Sequence, residues 1–172
     1  MVWLAMSPPD SPASNPVAVR AMTAADIPTI ARWVVETPLW QRYGATMDEV
    51  ARSLGEALQT GAIALAADMA GETACGFAIC LPRGGFGRSA YLRLIGVRPG
   101  LTGSGVGAAL LGEVERRALE ISADLFLLVS DFNEGAQRFY KRHGYTQIGA
   151  IPGYVLPDVT ELIFRKVLRA RE

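Results

Sequence analysis

The sequence predicts a domain of the α/β class, α+β in type, with a mixed and mostly antiparallel sheet flanked by helices. Three observations lead to that reading. Half of the residues, 50%, are hydrophobic and 20% are charged, a composition that folds around a core. Three strand-like segments follow one another in mid-chain across tight turns, which is how antiparallel strands are joined. Apolar residues at helical spacing then alternate with short apolar runs, supplying helices to cover the sheet. With 172 residues the chain can bury one core without support from a metal or a disulfide.

The elements follow in order. Residues 7–16 read SPPDSPASNP, and their four prolines exclude a helix or an inner strand. Residues 1–16 are therefore expected to be a flexible Pro-rich tail, and residues 17–172 the domain. Residues 17–20 form a first strand. Thr23 caps the next helix with Asp26 three residues on, and Ile27, Ile30, Ala31, Val34 and Val35 set its apolar face. Pro38 ends that helix and residues 39–44 make an aromatic loop. Thr46 caps a second helix over residues 47–59. Strands over 62–68, 74–81 and 90–97 form the meander, with a glycine-rich turn at 82–87. A glycine loop over 99–107 leads into a helix whose apolar side is Val106, Leu110, Leu111, Val114, Ala118 and Leu119. The continuous apolar run 125–129 is a buried strand. Asn133 caps a last helix, from 134 to about His143, which Gly144 stops. Strands over 145–151 and 160–167 close the order βααβββαβαββ.

Charge and cysteine usage exclude several functions. Lys plus Arg and Asp plus Glu both number 17, so no whole-surface attraction to nucleic acid or to anionic lipid is expected. No run is long enough to span a membrane, and the short apolar start lacks a basic leader, so a cytoplasmic location is expected. Cys75 and Cys80 are too few for a disulfide framework or a four-ligand zinc site, and His143 is the single histidine. No metal is expected.

The segment that carries chemistry is Gly103-x-Gly105-x-Gly107 at a helix start. Such glycines let backbone approach a ligand, and the free N–H groups behind them suit a pyrophosphate. A P-loop is excluded because no Lys-Ser or Lys-Thr follows. Gly103 to Ala108 also satisfies the dinucleotide pattern G-x-G-x-x-A, with Asp131 ending the next strand. Asp131 lies later than the usual spacing of about 20 residues, and a meander precedes the glycines where that fold needs a βαβ unit.

A second segment sharpens the reading: Asn133-x-x-Ala136, then Phe139-Tyr140, then Gly144-Tyr145. It resembles the fourth conserved block of the GNAT superfamily of N-acetyltransferases. Val97-x-Pro99-x-x-x-Gly103-x-Gly105-x-Gly107-x-x-Leu110-Leu111 resembles that superfamily's acetyl-CoA block. The element order from 17 to about 168 is similar as well. One departure stands out: Thr102 occupies the position where the family usually has Arg or Gln.

The resemblance implies a GNAT-like sheet and an N-acetyltransferase that moves an acetyl group from acetyl-CoA to a primary amine by direct attack in a ternary complex. It implies that Ile95, Gly96 and Val97 line the pantetheine arm, with the Val97 N–H as oxyanion donor. Thr102, Gly103, Ser104, Gly105, Val106 and Gly107 hold the pyrophosphate. Tyr140 is the general acid for the departing thiolate, and Asn133 is a helix cap first and a cofactor contact second. The strand holding Val97 carries no carboxylate, so the base is left among Glu36, Asp131, Tyr91 and a water chain. Arg93 is a candidate for an acidic group of the acceptor. Glu36, Trp40 and Tyr43 are candidates for the acceptor pocket, and the loop of Trp40 and Tyr43 reads equally well as a lid or a homodimer patch. The acceptor is expected to be a small-molecule or peptide amine. The alternatives are a non-catalytic acyl-CoA-binding module and an NAD-dependent oxidoreductase.

Overall fold

The computed structural model describes residues 16–170. The expected tail therefore lies, Pro16 apart, outside the described residues. The strands are β1 (Val17–Ala21), β2 (Ile63–Met69), β3 (Glu72–Gly85), β4 (Ser89–Val97), β5 (Asp124–Ser130), β6 (Thr146–Pro152) and β7 (Thr160–Val167). The helices are α1 (Ile27–Val35), α2 (Pro38–Arg42), α3 (Met47–Gln59), α4 (Val106–Leu119) and α5 (Glu134–Arg142), with a 3-10 turn at Ala24–Asp26 before α1.

Seven strands form one sheet in the order β1-β2-β3-β4-β5-β7-β6. Every neighbouring pair is antiparallel except β4 and β5, which run parallel. A parallel step needs a crossover, and α4 supplies it. Two apolar clusters cover the two faces. Leu110, Leu111 and Val114 of α4 pack with Leu125, Leu127 and Phe164 on one side. Ile30, Trp33 and Val34 of α1 pack with Leu54 of α3 and Phe77 on the other.

Local chemistry explains the boundaries. Thr23 donates its N–H and hydroxyl to Asp26 at 2.8 and 3.0 Å. The Asp26 carboxylate also takes the Arg20 guanidinium through both oxygens at 2.8 Å, while Arg20 reaches Asp68 at 2.7 Å. Thr46 and Glu49 exchange the bonds of a capping box. Gly144, at φ +86, stops α5 in the left-handed region that glycine enters without steric cost.

Two boundaries differ from expectation. The aromatic stretch after Pro38 is the short helix α2, because proline at a first helical position starts a helix as readily as it ends one. Strand β3 runs on to Gly85 and absorbs the first glycines of the expected turn. An irregularity between Leu81 and Gly85 accommodates them, and the chain reverses at residues 86–88.

Candidate active site

The site begins where β4 and β5 part. They pair at three positions only, Ala90 with Leu125, Tyr91 with Phe126 and Leu92 with Leu127. Along its other edge β4 stays paired with β3 as far as Val97. The Arg98 N–H donates to the Cys75 carbonyl at 2.8 Å, which makes those two a hydrogen-bonded antiparallel pair. Such pairs alternate, so Val97 opposite Gly76 and Ile95 opposite Ala78 are non-hydrogen-bonded pairs. The backbone N–H and C=O groups of Ile95 and Val97 therefore face away from β3, into the wedge. Gly96 between them answers to packing: a Cβ there would stand 2.8 Å from Phe77 Cε1 and 3.1 Å from Trp33 Cη2.

The N-terminus of α4 opens beside that wedge. Gly103 and Gly105 have φ of +84 and +91, and Gly105 is the N-cap with no side chain capping the helix. The first backbone bond of the helix is Ala109 N–H to Gly105 O at 3.0 Å. The N–H groups of Val106, Gly107 and Ala108 thus have no backbone acceptor, as at any helix start. No acidic residue sits in this first turn, so nothing there opposes an anion. Val106 is fully buried and pins the turn to the core. Gly107 keeps the turn close to its surroundings: a Cβ there would touch Val97 Cγ2 at 3.6 Å and Phe139 Cζ at 3.7 Å. Ser104 spends its N–H and its hydroxyl on the Leu101 carbonyl, and Thr102 is exposed. Glycine loop and wedge together fit a long thioester with a pyrophosphate at one end: open amides for the phosphates, a free strand edge for the arm.

A cavity of about 480 Å³ adjoins the wedge, and Ile95, Tyr140, Trp40, Tyr43 and Glu161 are among the residues that line it. Tyr140 on α5 is 6% exposed, stacked edge-on against Phe139 and Tyr145. Its hydroxyl has no hydrogen bond within the described residues, yet no fully buried polar side-chain atom lacks a partner. The oxygen must therefore look into the cavity it lines. Burial pushes its ionisation well above the ordinary tyrosine range, so the hydroxyl keeps its proton. Asn133 lines the same cavity while its Oδ1 accepts the Ala136 N–H at 3.1 Å, the expected cap.

The other expected residues divide. Trp40 of α2 and Tyr43, the C-cap of that helix, line the cavity. Arg93 lies at its exposed rim and donates to Ser53 Oγ at 3.2 Å. Tyr91 lines the cavity, its phenol raised by burial. Glu36 is exposed at the end of α1, outside the lining residues. Asp131 is also outside them; its carboxylate accepts the Thr160 N–H at 3.3 Å. His143 is the C-cap of α5, its Nδ1 2.8 Å from the Phe139 carbonyl. Both cysteines are buried and free, and burial lifts the Cys80 thiol to about 12, far from a nucleophile's range. No group of metal-ligating side chains exists among the described residues.

Sequence reasoning missed one residue. Glu161, at the start of β7, is 5% exposed and is the only carboxylate that lines the cavity among the described residues. The Tyr43 hydroxyl donates to its Oε1 at 2.6 Å and lies 2.5 Å from Ser130 Oγ. The one signal in the sequence was an acid on the inward side of an apolar strand.

The meander before the glycine loop is antiparallel, so the βαβ unit that a dinucleotide fold requires is absent there. No helix among the described residues is long and apolar enough to cross a membrane. The structure resembles that of an aminoglycoside 6'-N-acetyltransferase complexed with coenzyme A, with a TM-score of 0.76, 15% identity, and coverage of 90% of this chain and 99% of that one. It also resembles yncA from Salmonella typhimurium with its cofactor acetyl-CoA, with a TM-score of 0.72, 17% identity, and coverage of 90% and 95%. A third is ribosomal-protein-alanine N-acetyltransferase from Brucella melitensis, with a TM-score of 0.72, 21% identity, and coverage of 87% and 99%. At these identities the likenesses speak for the fold. The model of the acetyltransferase (GNAT) family matches residues 27–145, well over half of the chain. With that match laid over a split β4–β5 edge and an open α4 mouth, the chain belongs to the acetyltransferase (GNAT) family, whose acyl donor is acetyl-CoA.

Proposed function

We propose that this protein transfers the acetyl group of acetyl-CoA to the primary amine of a small molecule, by direct attack within a ternary complex. One observation carries the proposal: the unpaired edge of Ile95 and Val97 runs from a cavity that Ile95 and Glu161 line to the open N-terminus of α4, whose first turn meets Val97. Acetyl-CoA supplies an activated acetyl group, whose C–S bond breaks as the N–C bond to the amine forms.

The chain's own residues divide the remaining work. The amides of Gly103 to Ala108 hold the pyrophosphate, aided by the dipole of α4. They do so without the long side chain that Thr102 replaces. The edge of Ile95 and Val97 takes the pantetheine arm as an added strand. The Val97 N–H polarises the acetyl carbonyl. Tyr140, kept protonated by burial, gives its proton to the departing sulfur and recovers one from the attacking nitrogen. Residues 17–172 form the catalytic unit in this reading.

The test is thermal unfolding of the full chain with acetyl-CoA, CoA and NAD, followed by thiol release with a panel of amines. Stabilisation by the two CoA species and amine-dependent thiol release are expected. Stabilisation by NAD alone refutes the reading. Stabilisation by acetyl-CoA with no release on any amine leaves a binding module in its place.

A further inference from the structure

We infer that Glu161 is the docking site of the acceptor's ammonium group and takes up its proton, and that the acceptor is a primary amine carried on an apolar body. The inference rests on the acetyl-transfer reading above and names the acceptor side of the same site.

A carboxylate buried to this degree is costly unless it is paired. Glu161 has no ion pair among the described residues, and its hydrogen bond from Tyr43 occupies Oε1 alone. Yet no fully buried polar side-chain atom lacks a partner. Oε2 is therefore not sealed, and the space it meets is the cavity that Glu161 lines. A charge-assisted donor in that cavity supplies the missing partner.

The surroundings define the donor. Leu39, Trp40, Tyr91, Leu128 and Val155 give the cavity apolar walls, and the only cation that lines it among the described residues, Arg93, is exposed and donates to Ser53. The titratable groups set against Glu161 are Tyr43, at the C-terminal cap of α2, and, at longer range, Tyr91 from β4. Neither is a cation. A ligand ammonium is thus the cation the carboxylate lacks, with the ligand's apolar part against Trp40 and Leu39. Ser130 and Tyr43 donate in sequence toward Oε1 and fix the carboxyl plane, which leaves Oε2 for the ligand. The ammonium gives one proton to Oε2 and becomes a free amine with a lone pair. That proton passes to solvent, which is the net proton that acetylation of an ammonium releases.

The experiment is calorimetric titration of 2-phenylethylamine into the full chain alone, with 2-phenylethanol as the uncharged control. Wild type is expected to bind the amine at least tenfold more tightly than the alcohol, and Glu161→Gln to lose at least tenfold in amine affinity. Stabilisation of Glu161→Gln by acetyl-CoA is expected to match wild type. In thiol release with acetyl-CoA, Glu161→Gln should lower kcat by about 100-fold and Glu161→Asp should restore part of it. Should Glu161→Gln fail to fold, Tyr43→Phe keeps the carboxylate and removes the donor that fixes its plane, and amine affinity then falls severalfold. Equal affinity of wild type for amine and alcohol, no amine binding by wild type, full amine affinity in a folded Glu161→Gln, or unchanged affinity in Tyr43→Phe each overturn the inference. Because amine binding is read without acetyl-CoA, these outcomes stand apart from failure of the donor reading, which shows as absent acetyl-CoA stabilisation.

Discussion

Tyr140 keeps a proton that a surface tyrosine would release more readily, because its ring is buried among Phe139, Tyr145 and Phe164. If that proton goes to the leaving sulfur, Tyr140→Phe lowers kcat by about 100-fold while acetyl-CoA still raises the Tm. Unchanged turnover across pH removes Tyr140 from the chemistry. The carboxylate of Asp26 shifts in the opposite sense. The Arg20 guanidinium holds Asp26 down at about 2, against an ordinary 3.8. The native state thus favours the ionised form, so the stabilisation is complete above about pH 4 and fades as the pH falls through about 2. Its size is about 2 kcal/mol. Asp26→Asn is expected to cost about that much at pH 7 and to flatten the acid limb of a stability–pH curve between pH 4 and 2. An acid limb as steep as the wild type's would show that the pair contributes nothing.

At the level of elements, α4 and the wedge depend on glycines for two different reasons. A Cβ on Gly105 meets nothing within 4 Å, so a side chain there projects into the space before the helix mouth, while φ of +91 strains it. Gly105→Val is expected to cost about 1–2 kcal/mol and to abolish stabilisation by acetyl-CoA. Normal acetyl-CoA binding by that variant would misplace the pyrophosphate. Gly76 is the converse: its Cβ would stand 2.6 Å from Val106 Cγ1 and 2.9 Å from Leu110 Cδ1. Gly76→Val pushes the first turn of α4 off the sheet, and chemical denaturation should show a loss of about 1–3 kcal/mol. Most of this element plan was legible in the sequence, since caps at Thr46 and Asn133 and glycine stops are local signals. α2 was not, because Pro38 serves an ending helix and a starting one equally well. Neither was Glu161. Its role depends on a hydroxyl 118 residues away, and no local pattern encodes a contact of that reach.

For the whole molecule, the donor should act on global stability. Acetyl-CoA at a hundred times its Kd adds about 2.7 kcal/mol and raises the Tm accordingly. The wedge itself was legible only through family resemblance; the residues of β4 and β5 say that both are strands, not where their pairing stops. That stopping point has a mechanical meaning. The sheet is two plates, β1 to β4 on one side and β5, β7 and β6 on the other, sewn together by three residue pairs. A ligand lying along the open seam works as a spline between them, adding backbone bonds where the protein has left its own unmade. Amide exchange in β6, which contributes no residue to the cavity lining, is then expected to slow when the seam is filled.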